Sequence, residues 1–480
     1  MKKTISLFLL LSLFSGLTSG CSFFLKDTST KGKAAQITLT YYRFGDDADV
    51  IRPLLDSYQA AHPGTTIQLV TKFPSYQIYE DTLINEIAEG GGPDLFSVPN
   101  TWIYKHQKKI EPMPETMGTV DQFRQNFVAT ADRDLVRPDS RYPTALRIFG
   151  IPLFVDTLAV YYNKPQYEDR IPNRGRPAAL WSDFVADSIA LTKPGTSSGF
   201  EVSGTALGRT DNISHGLDVF YNLVLQYGGS LYNQQGTSAA LKTLMVKQND
   251  QQIYPFAQAL NFFASFARSD SSNYSWNSSS ASPQSPQELL AFSRGQVSSI
   301  FGYSDAYAQI TSLIGGTSRQ GIKTIALKDI GIASLPQFQD PSISTSKRDA
   351  LATYMFETVS RNSKYQKESW DLLLFLGNKK NQEFYNQKTH KPTSRRDLLD
   401  TQSKDPIYGV FAQQVGFASS LPLYDGVRVD DIVSRMLQSV ADNAATPKDA
   451  IDAADAQMGV LLPKNGFVGP GPHLQPQVKK

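Results

Sequence analysis

Polar and apolar residues first fall into regular patterns at residue 36. They alternate over Ile37–Tyr41, which predicts a strand. Apolar residues then recur on one helical face between Val50 and Tyr58, and the helix is predicted to end at His62-Pro63-Gly64. A second alternating run at Ile67–Val70 follows at once. The order indicates a strand–helix–strand unit.

A second unit repeats this order. Ser75 is placed to cap a helix whose apolar stripe is Tyr79, Leu83 and Ile87, and three glycines end it at residues 90–92. A third strand is predicted at Pro93–Val98. Alternating strands and helices predict an α/β fold with parallel strands, in which ligands bind beyond the carboxyl ends of the strands. Those ends are predicted at residues 42–46 and 99–102.

The N-terminus carries a separate signal around Cys21, the only cysteine of the sequence. Lys2 and Lys3 precede an apolar run over Ile5–Leu17 that is too short to span a bilayer, which predicts a secretory signal peptide over residues 1–20. The segment resembles the bacterial lipoprotein box, although Thr18 stands where that box usually has leucine. The resemblance implies lipidation of Cys21, with residues 21–35 as lipid anchor and flexible spacer. The alternative is an ordinary cleaved signal with an unpaired thiol.

Composition narrows the function class. With 480 residues, the chain is long enough for two lobes, and a net charge of +2 argues against nucleic acid as a partner. A single cysteine excludes internal disulfides. The sequence is rich in aromatic residues, with 22 Tyr and 27 Phe. We expect a surface loop at residues 269–285 and a disordered tail at residues 466–480.

Seven segments, in order, resemble one family. They are residues 62–70 (HPGTTIQLV), 83–98, 149–164 (FGIPLFVDTLAVYYNK), 180–193, 288–303, 331–338 and 359–399. Together they resemble the extracellular solute-binding proteins of bacterial ABC importers (family 1, sugar-binding type), here in lipoprotein form. Leu180 and Gln296 depart from the family pattern, as do Tyr354 and Met355, which stand where the family often has paired glycines.

The resemblance implies a two-lobed, periplasmic-binding-protein-like (type II) α/β fold with a hinge and an interlobe cleft. We expect the N-terminal lobe to comprise residues 36–152 with 328–378. The C-terminal lobe is expected to comprise residues 153–327 with 379–465. Closure of such a hinge around a ligand requires contacts from both lobes.

Candidate ligand-binding residues are aromatic side chains beside polar ones near predicted strand ends or loops, because a saccharide needs flat apolar faces and hydrogen-bonding groups. The candidates are Tyr42, Phe44, Asp46, Asn100, Trp102, Asp156, Arg209, Asn212, Trp276, Tyr303, Tyr354, Tyr424 and Arg428. His215 is the one histidine expected near the cleft, and no metal site or cofactor is predicted.

The sequence thus predicts a non-enzymatic binding protein that captures a small polar solute, with a saccharide preferred, and delivers it to an ABC permease. It would act as a monomer anchored through lipid to the outer face of the membrane. Two alternatives remain: a lipid-anchored adhesin or orphan receptor of the same fold, and a carbohydrate-active hydrolase. The sequence carries no G-x-S-x-G, H-E-x-x-H or P-loop motif.

Overall fold

The computed structural model describes residues 36–45, 47–139, 141–195, 199–248, 251–277, 287–339 and 347–467. The signal peptide, Cys21, the spacer, Asp46 and residues 278–285 and 468–480 of the predicted loop and tail lie outside the described residues. No helix of the described ranges is long and apolar enough to cross a membrane.

The described residues form eighteen strands and seventeen α-helices. The first part contains β1 (Ile37–Tyr42), α1 (Ala48–Ala61), β2 (Thr65–Val70), α2 (Tyr76–Ala88), β3 (Leu95–Pro99), α3 (Ile103–His106), β4 (Ile110–Glu111), α4 (Val120–Asn126), α5 (Ala129–Leu135), β5 (Val136–Asp139), β6 (Tyr142–Ile148) and β7 (Ile151–Pro152). The middle part contains β8 (Asp156–Thr157), β9 (Ala159–Asn163), α6 (Lys164–Arg170), α7 (Trp181–Leu191), β10 (Lys193–Pro194), β11 (Phe200–Val202), α8 (Gly216–Gln226), β12 (Val246–Gln248), β13 (Gln251–Ile253), α9 (Pro255–Ser265), α10 (Gln287–Ser293), β14 (Ser299–Gly302), α11 (Ala306–Arg319) and β15 (Ile330–Ala333). The last part contains β16 (Ala350–Thr353), β17 (Met355–Ser360), α12 (Gln366–Leu376), α13 (Lys379–Thr389), α14 (Arg396–Gln402), α15 (Gly409–Val415), β18 (Ala418–Ser419), α16 (Gly426–Ala441) and α17 (Pro447–Leu461).

The first lobe is built on a mixed sheet in the order β2-β1-β3-β17-β4, with β7 also paired to β17. Strands β2, β1 and β3 run parallel, and β17 is antiparallel to β3. The first strands and helices predicted from sequence are therefore confirmed. Ser75 caps α2 as predicted, since its hydroxyl accepts a hydrogen bond of 3.2 Å from the backbone N–H of Ile78. Gly90 and Gly92 follow that helix with φ of 85° and 87°, which glycine adopts without strain.

The second lobe has its own antiparallel sheet, in the order β14-β9-β15. Helices α8, α9, α16 and α17 pack against one another, and α8 packs on β16. One apolar core runs through both lobes, and a second core lies around Phe292, Ile300 and Ile310 of the second lobe.

Three short strands join the lobes. Strand β16 pairs antiparallel with β8 and parallel with β18. Each of the three strands lies on a segment that connects one lobe with the other. The three interlobe connections are therefore hydrogen-bonded to one another. The two-lobed α/β fold predicted from sequence is present.

The lobe boundaries differ from the predicted ranges at two places. Strand β15 (330–333) pairs with β9, so it lies in the second lobe, although it falls within the range predicted for the first. Helix α13 (379–389) packs on α1 and α12 of the first lobe, although it falls within the range predicted for the second. The chain changes lobes inside the three-strand junction, where strands of two to four residues carry no periodicity to mark a boundary.

Candidate functional site

The carboxyl ends of three adjacent strands bring aromatic side chains together on the first lobe. Tyr42 ends β1, and Phe44 follows it two residues later. Phe73 follows β2, and Trp102 follows β3. With Tyr76 and Tyr79 of α2 they form what we call the aromatic face. Neighbouring ring centroids lie 4.7 to 6.2 Å apart, a spacing typical of favourable ring pairs. The structure therefore brings the predicted residues Tyr42, Phe44 and Trp102 into one cluster.

The second lobe presents a set of polar rings and carboxylates. Tyr303 lies just beyond β14, and its ring is 4.8 Å from that of His215, edge to face. His215 Nδ1 lies 3.0 Å from Asp218 Oδ2. Burial disfavours the imidazolium, but the hydrogen bond and charge of Asp218 outweigh it, so the pKa of His215 is raised. We call His215, Asp218, Tyr221, Tyr303 and Asp430 the polar face.

The two faces lie next to each other where α16 meets the loop after β3. A Cβ added to Gly426 would lie 3.8 Å from the hydroxyl of Thr101, the residue before Trp102. Lys105 Nζ of the first lobe lies 3.1 Å from Asp425 Oδ2 of the second. Burial raises the pKa of Tyr76, and the charge of Asp430 across the junction adds to the increase. These contacts define the interlobe cleft.

Asp430 is the most perturbed carboxyl group of the polar face. Its Oδ1 accepts a hydrogen bond of 2.8 Å from the hydroxyl of Tyr221. Burial raises its pKa to about 7, and the neighbouring charge of Asp218 adds to the effect. Near neutral pH this group can therefore exchange a proton, and its protonated form can donate a hydrogen bond to a ligand.

The Asp430→Asn variant is expected to change how stability depends on pH. The folded pKa lies above the usual value near 4, so the stability contributed by this group is present at low pH and is lost as pH rises through about 7. Between pH 5 and 8 the wild type should lose about 1 to 3 kcal/mol more unfolding free energy than the variant. Urea unfolding at both pH values measures this difference. Asp431→Asn, at an exposed neighbour, is the control, and equal pH slopes for the wild type and Asp430→Asn would contradict the assignment.

Asp156 lies on β8 of the junction, beside the polar face. Its Oδ2 accepts hydrogen bonds from the hydroxyl (2.6 Å) and backbone N–H (3.2 Å) of Ser304. Burial raises its pKa to about 7 despite these donors. The predicted residue Asp156 thus lies near Tyr303, and its carboxyl group holds Ser304, the residue that follows that ring.

Asn100 and Tyr354 belong to a hydrogen-bond network at the junction. Asn100 Nδ2 donates to Ser420 Oγ at 2.8 Å, and its backbone N–H donates to the carbonyl of Tyr354 at 3.0 Å. The hydroxyls of Tyr354 and Ser420 both donate to Asp134 Oδ2, at 2.6 and 2.5 Å. The large side chain at position 354 therefore anchors the junction to the first lobe, and it is buried.

Removing the hydroxyl of Tyr354 is expected to destabilise the protein. In Tyr354→Phe the buried Asp134 carboxylate loses a donor, which should lower the unfolding free energy by about 1–3 kcal/mol. Denaturant titration followed by circular dichroism measures the change. Tyr254→Phe is the matched control, because Tyr254 is 47% exposed, and a surface change there should stay within about 0.5 kcal/mol. A loss no larger than that of the control would rule out an anchoring role for the hydroxyl.

Arg209, Asn212 and Trp276 form a second group of predicted residues. The guanidinium of Arg209 donates two hydrogen bonds to the carboxylate of Asp211 and a third, of 2.7 Å, to Asp442 Oδ1. Trp276 Nε1 donates to Asn212 Oδ1 at 2.9 Å, and the indole is 2% exposed in the second apolar core. The structure thus satisfies these polar groups internally and packs Trp276 as a core residue.

The remaining predicted residues are spread more widely. Tyr424 stacks on Phe467 with ring centroids 5.2 Å apart, away from the aromatic face. Arg428 is exposed in the first turn of α16. Asp46 and Cys21 lie outside the described residues.

Sequence reasoning missed Phe73, Tyr76, Asp218, Tyr221 and Asp430. The run FPSYQIY after the second strand carried a usable signal, because that strand neighbours the first in a parallel sheet. Asp218 and Asp430 lie on helices far apart in the chain, and only the fold brings them together.

Solved structures share this fold. The sugar-binding protein MalE of Xanthomonas citri has a TM-score of 0.69 and 16% identity, covering 88% of this chain and 97% of its own. Maltose-bound MalE3 of Thermotoga maritima has a TM-score of 0.65 and 15% identity, covering 89% and 100%. The GacH receptor of Streptomyces glaucescens has a TM-score of 0.65 and 14% identity, covering 89% and 99%. No curated protein matches the sequence.

The family is indicated by the sequence itself. Residues 43–383 match the family model described as bacterial extracellular solute-binding protein. This range covers most of the chain and includes the aromatic face except Tyr42 and the polar face except Asp430. The chain therefore belongs to the bacterial extracellular solute-binding protein family.

Proposed function

We propose that this protein captures a saccharide between the aromatic face and the polar face and delivers it to an ABC permease. The observation that carries the proposal is the position of the aromatic face next to the carboxylates and hydroxyls of the polar face. Flat apolar rings can cover the C–H face of a sugar, while Asp218, His215 and Asp430 can bind its hydroxyls. A ligand touching both faces favours the closed lobes, a shape that a permease can recognise.

Names of structural neighbours support the ligand class. MalE3 is described as bound to maltose, and the GacH receptor is described in complex with acarbose. The family is one of extracellular binding proteins. We extend this to the absence of catalysis here, because the proposed role requires only that the ligand be held and released unchanged.

The test is thermal unfolding of the protein lacking residues 1–21 against mono- and oligosaccharides, polyols and glycerol phosphates. A ligand at a hundred times its Kd should add about 2.7 kcal/mol to the unfolding free energy, a shift of a few degrees. Recovery of the intact compound supports a receptor. A panel without any shift would overturn the saccharide proposal in favour of an adhesin, and conversion of the compound would indicate a hydrolase.

We further propose that Cys21 is lipidated and holds a monomer on the outer face of the membrane. The lone cysteine after an apolar signal supports this proposal. In cells, Cys21→Ala should release the protein from the membrane fraction. Retention of that variant in the membrane would exclude the thiol as the anchor.

A further inference from the structure

A pocket separate from the aromatic face lies beside α3. It has a volume of about 360 Å³ and is lined by Tyr104, Lys105, Gln107, Lys108, Arg137, Pro138, Asp139, Arg361, Tyr424, Pro463, Gly466 and Phe467. Trp102 and His106 lie one turn apart and touch each other on the side of the aromatic face. Tyr104 and Lys108, also four residues apart, line the pocket instead.

The pocket is lined mainly by cationic groups. Lys105, Lys108, Arg137 and Arg361 stand against one carboxylate, that of Asp139. That carboxylate is already occupied, because it accepts hydrogen bonds from the backbone N–H (2.9 Å) and guanidinium (2.8 Å) of Arg141. Outside the lining, Asp425 pairs with Lys105, and Glu111 lies near Arg361. The four lining cations still outnumber these three carboxylates, and they face a space large enough for a small ligand.

Two of the cationic groups have donors available. Among the described residues, Lys108 Nζ has no hydrogen bond or ion pair, and Lys108 is exposed. Arg361 donates through Nη2 to the carbonyl of Ile110. Its buried Nε lies 3.7 Å from Glu111 Oε2, which is an ion pair, but it has no hydrogen-bond partner within the described part of the chain. Unsatisfied buried donors are uncommon in proteins, and one that lines a cationic pocket suits an anionic acceptor.

Both lobes contribute walls to the pocket. The cationic side chains come from the first lobe, whereas Tyr424 and Phe467 come from the second. The Phe467 ring packs on Tyr424 at 5.2 Å and Tyr232 at 5.1 Å in the second lobe, and on Tyr104 of the first at 5.8 Å. The segment after α17 thus holds an aromatic ring across the junction, next to the cations.

We propose that this pocket binds an oxyanion, a carboxylate or phosphate group, through Lys108 and Arg361. Because its walls come from both lobes, the bound anion favours the arrangement in which the lobes are together. The pocket shares no residue with the aromatic face or the polar face, and the proposal does not rest on the saccharide function. It gives Tyr424 a role in this pocket instead of the cleft predicted from sequence.

The test is calorimetric titration of the protein lacking residues 1–21 with inorganic phosphate, glucuronate and glucose at matched ionic strength. We expect saturable binding of an anion and none of glucose at this pocket. Lys108→Glu should weaken the anion Kd by about tenfold, the size of one charged contact. Lys388→Glu, an exposed lysine on α13, makes the same charge change elsewhere and should leave the Kd within about twofold. Phe467→Ala, which removes the ring from the second lobe, should also weaken binding.

Comparing phosphate with glucuronate shows whether the pocket binds oxyanions in general or only the carboxylate of an acidic saccharide. Binding of phosphate and glucuronate alike supports a general oxyanion site, and binding of glucuronate alone supports an acidic saccharide. Absence of saturable binding by either anion would overturn the proposal. Equal weakening by Lys108→Glu and Lys388→Glu would overturn it as well, since that result reports only net charge.

Discussion

Replacing Arg43 by methionine is expected to lower the unfolding free energy by about 3–5 kcal/mol, because it leaves two buried carboxylates without their counter-charge. Arg43 lies between Tyr42 and Phe44 in sequence but points into the first lobe. Its Nη1 lies 2.5 Å from Glu357 Oε1, and its Nη2 lies 2.7 Å from Asp47 Oδ2. Arg43, Asp47 and Glu357 are all nearly inaccessible to solvent.

Two tyrosines complete this buried cluster. Tyr41 donates to Glu357 Oε2 at 2.5 Å, and Tyr385 donates to Asp47 Oδ2 at 2.6 Å. Burial raises the pKa of Glu357. Burial alone would also raise the pKa of Asp47, but Arg43 and the Tyr385 hydroxyl lower it. The stability of this cluster therefore depends on the guanidinium of Arg43. The cluster in turn holds the carboxyl end of β1, where the aromatic face begins.

Urea unfolding at pH 7 measures the effect of Arg43→Met. Arg52→Met is the matched control, since Arg52 is exposed on α1 and its loss should change stability by no more than about 0.5 kcal/mol. The effect of Arg43→Met should shrink in acid, where the two carboxyl groups become protonated and no longer need a cation. A loss below about 1 kcal/mol at pH 7 would contradict the arrangement.

Trp102→Ala is expected to weaken saccharide binding by about 30-fold, or about 2 kcal/mol, if the cleft binds as proposed. The indole is the centre of the aromatic face, 5.5 Å from Tyr76 and 6.2 Å from Tyr79 between ring centroids. Its removal takes away a stacking surface and loosens the rings around it. Calorimetric titration with the saccharide identified in the screen measures the change, at a temperature where the variant is folded.

The control separates affinity from stability. Trp276→Ala removes a tryptophan that is equally buried, but in the second apolar core. Both variants should lose stability by about 3–5 kcal/mol, as expected for a large aromatic core residue, whereas only Trp102→Ala should lose affinity. If both lose affinity to the same extent, the effect comes from general loosening and Trp102 is not a contact residue.

The sequence predicted the secondary structure correctly where an element is long and has one apolar face, because such an element shows a clear periodicity. The stripe of α1 and the alternation of β1 define the first strand and helix, and the strand ends led to Tyr42, Phe44 and Trp102. The sequence does not predict the buried ion pairs of Arg43, which stands between Tyr42 and Phe44, because its partner Glu357 lies on a strand more than 300 residues away. A sequence alone does not show which side of a strand end turns inward.

The three-strand junction was the least predictable part. Its strands have two to four residues, and their pairing depends on segments brought together from positions near 156, 350 and 418. The same limit applies to Trp276, whose position in a polar loop suggested a ligand contact, whereas its partner Asn212 and the second core bury it.

The paired strands of the junction also bear on the rates of ligand capture and release. Since each lobe is tied to the other by three mutually hydrogen-bonded connections, closing is an intramolecular event at a high and constant effective concentration. A ligand that has docked on one face meets the second face without a further loss of translational freedom. The rate of capture should therefore follow the first encounter with the open cleft, and the residence time should follow the rate at which the junction reopens.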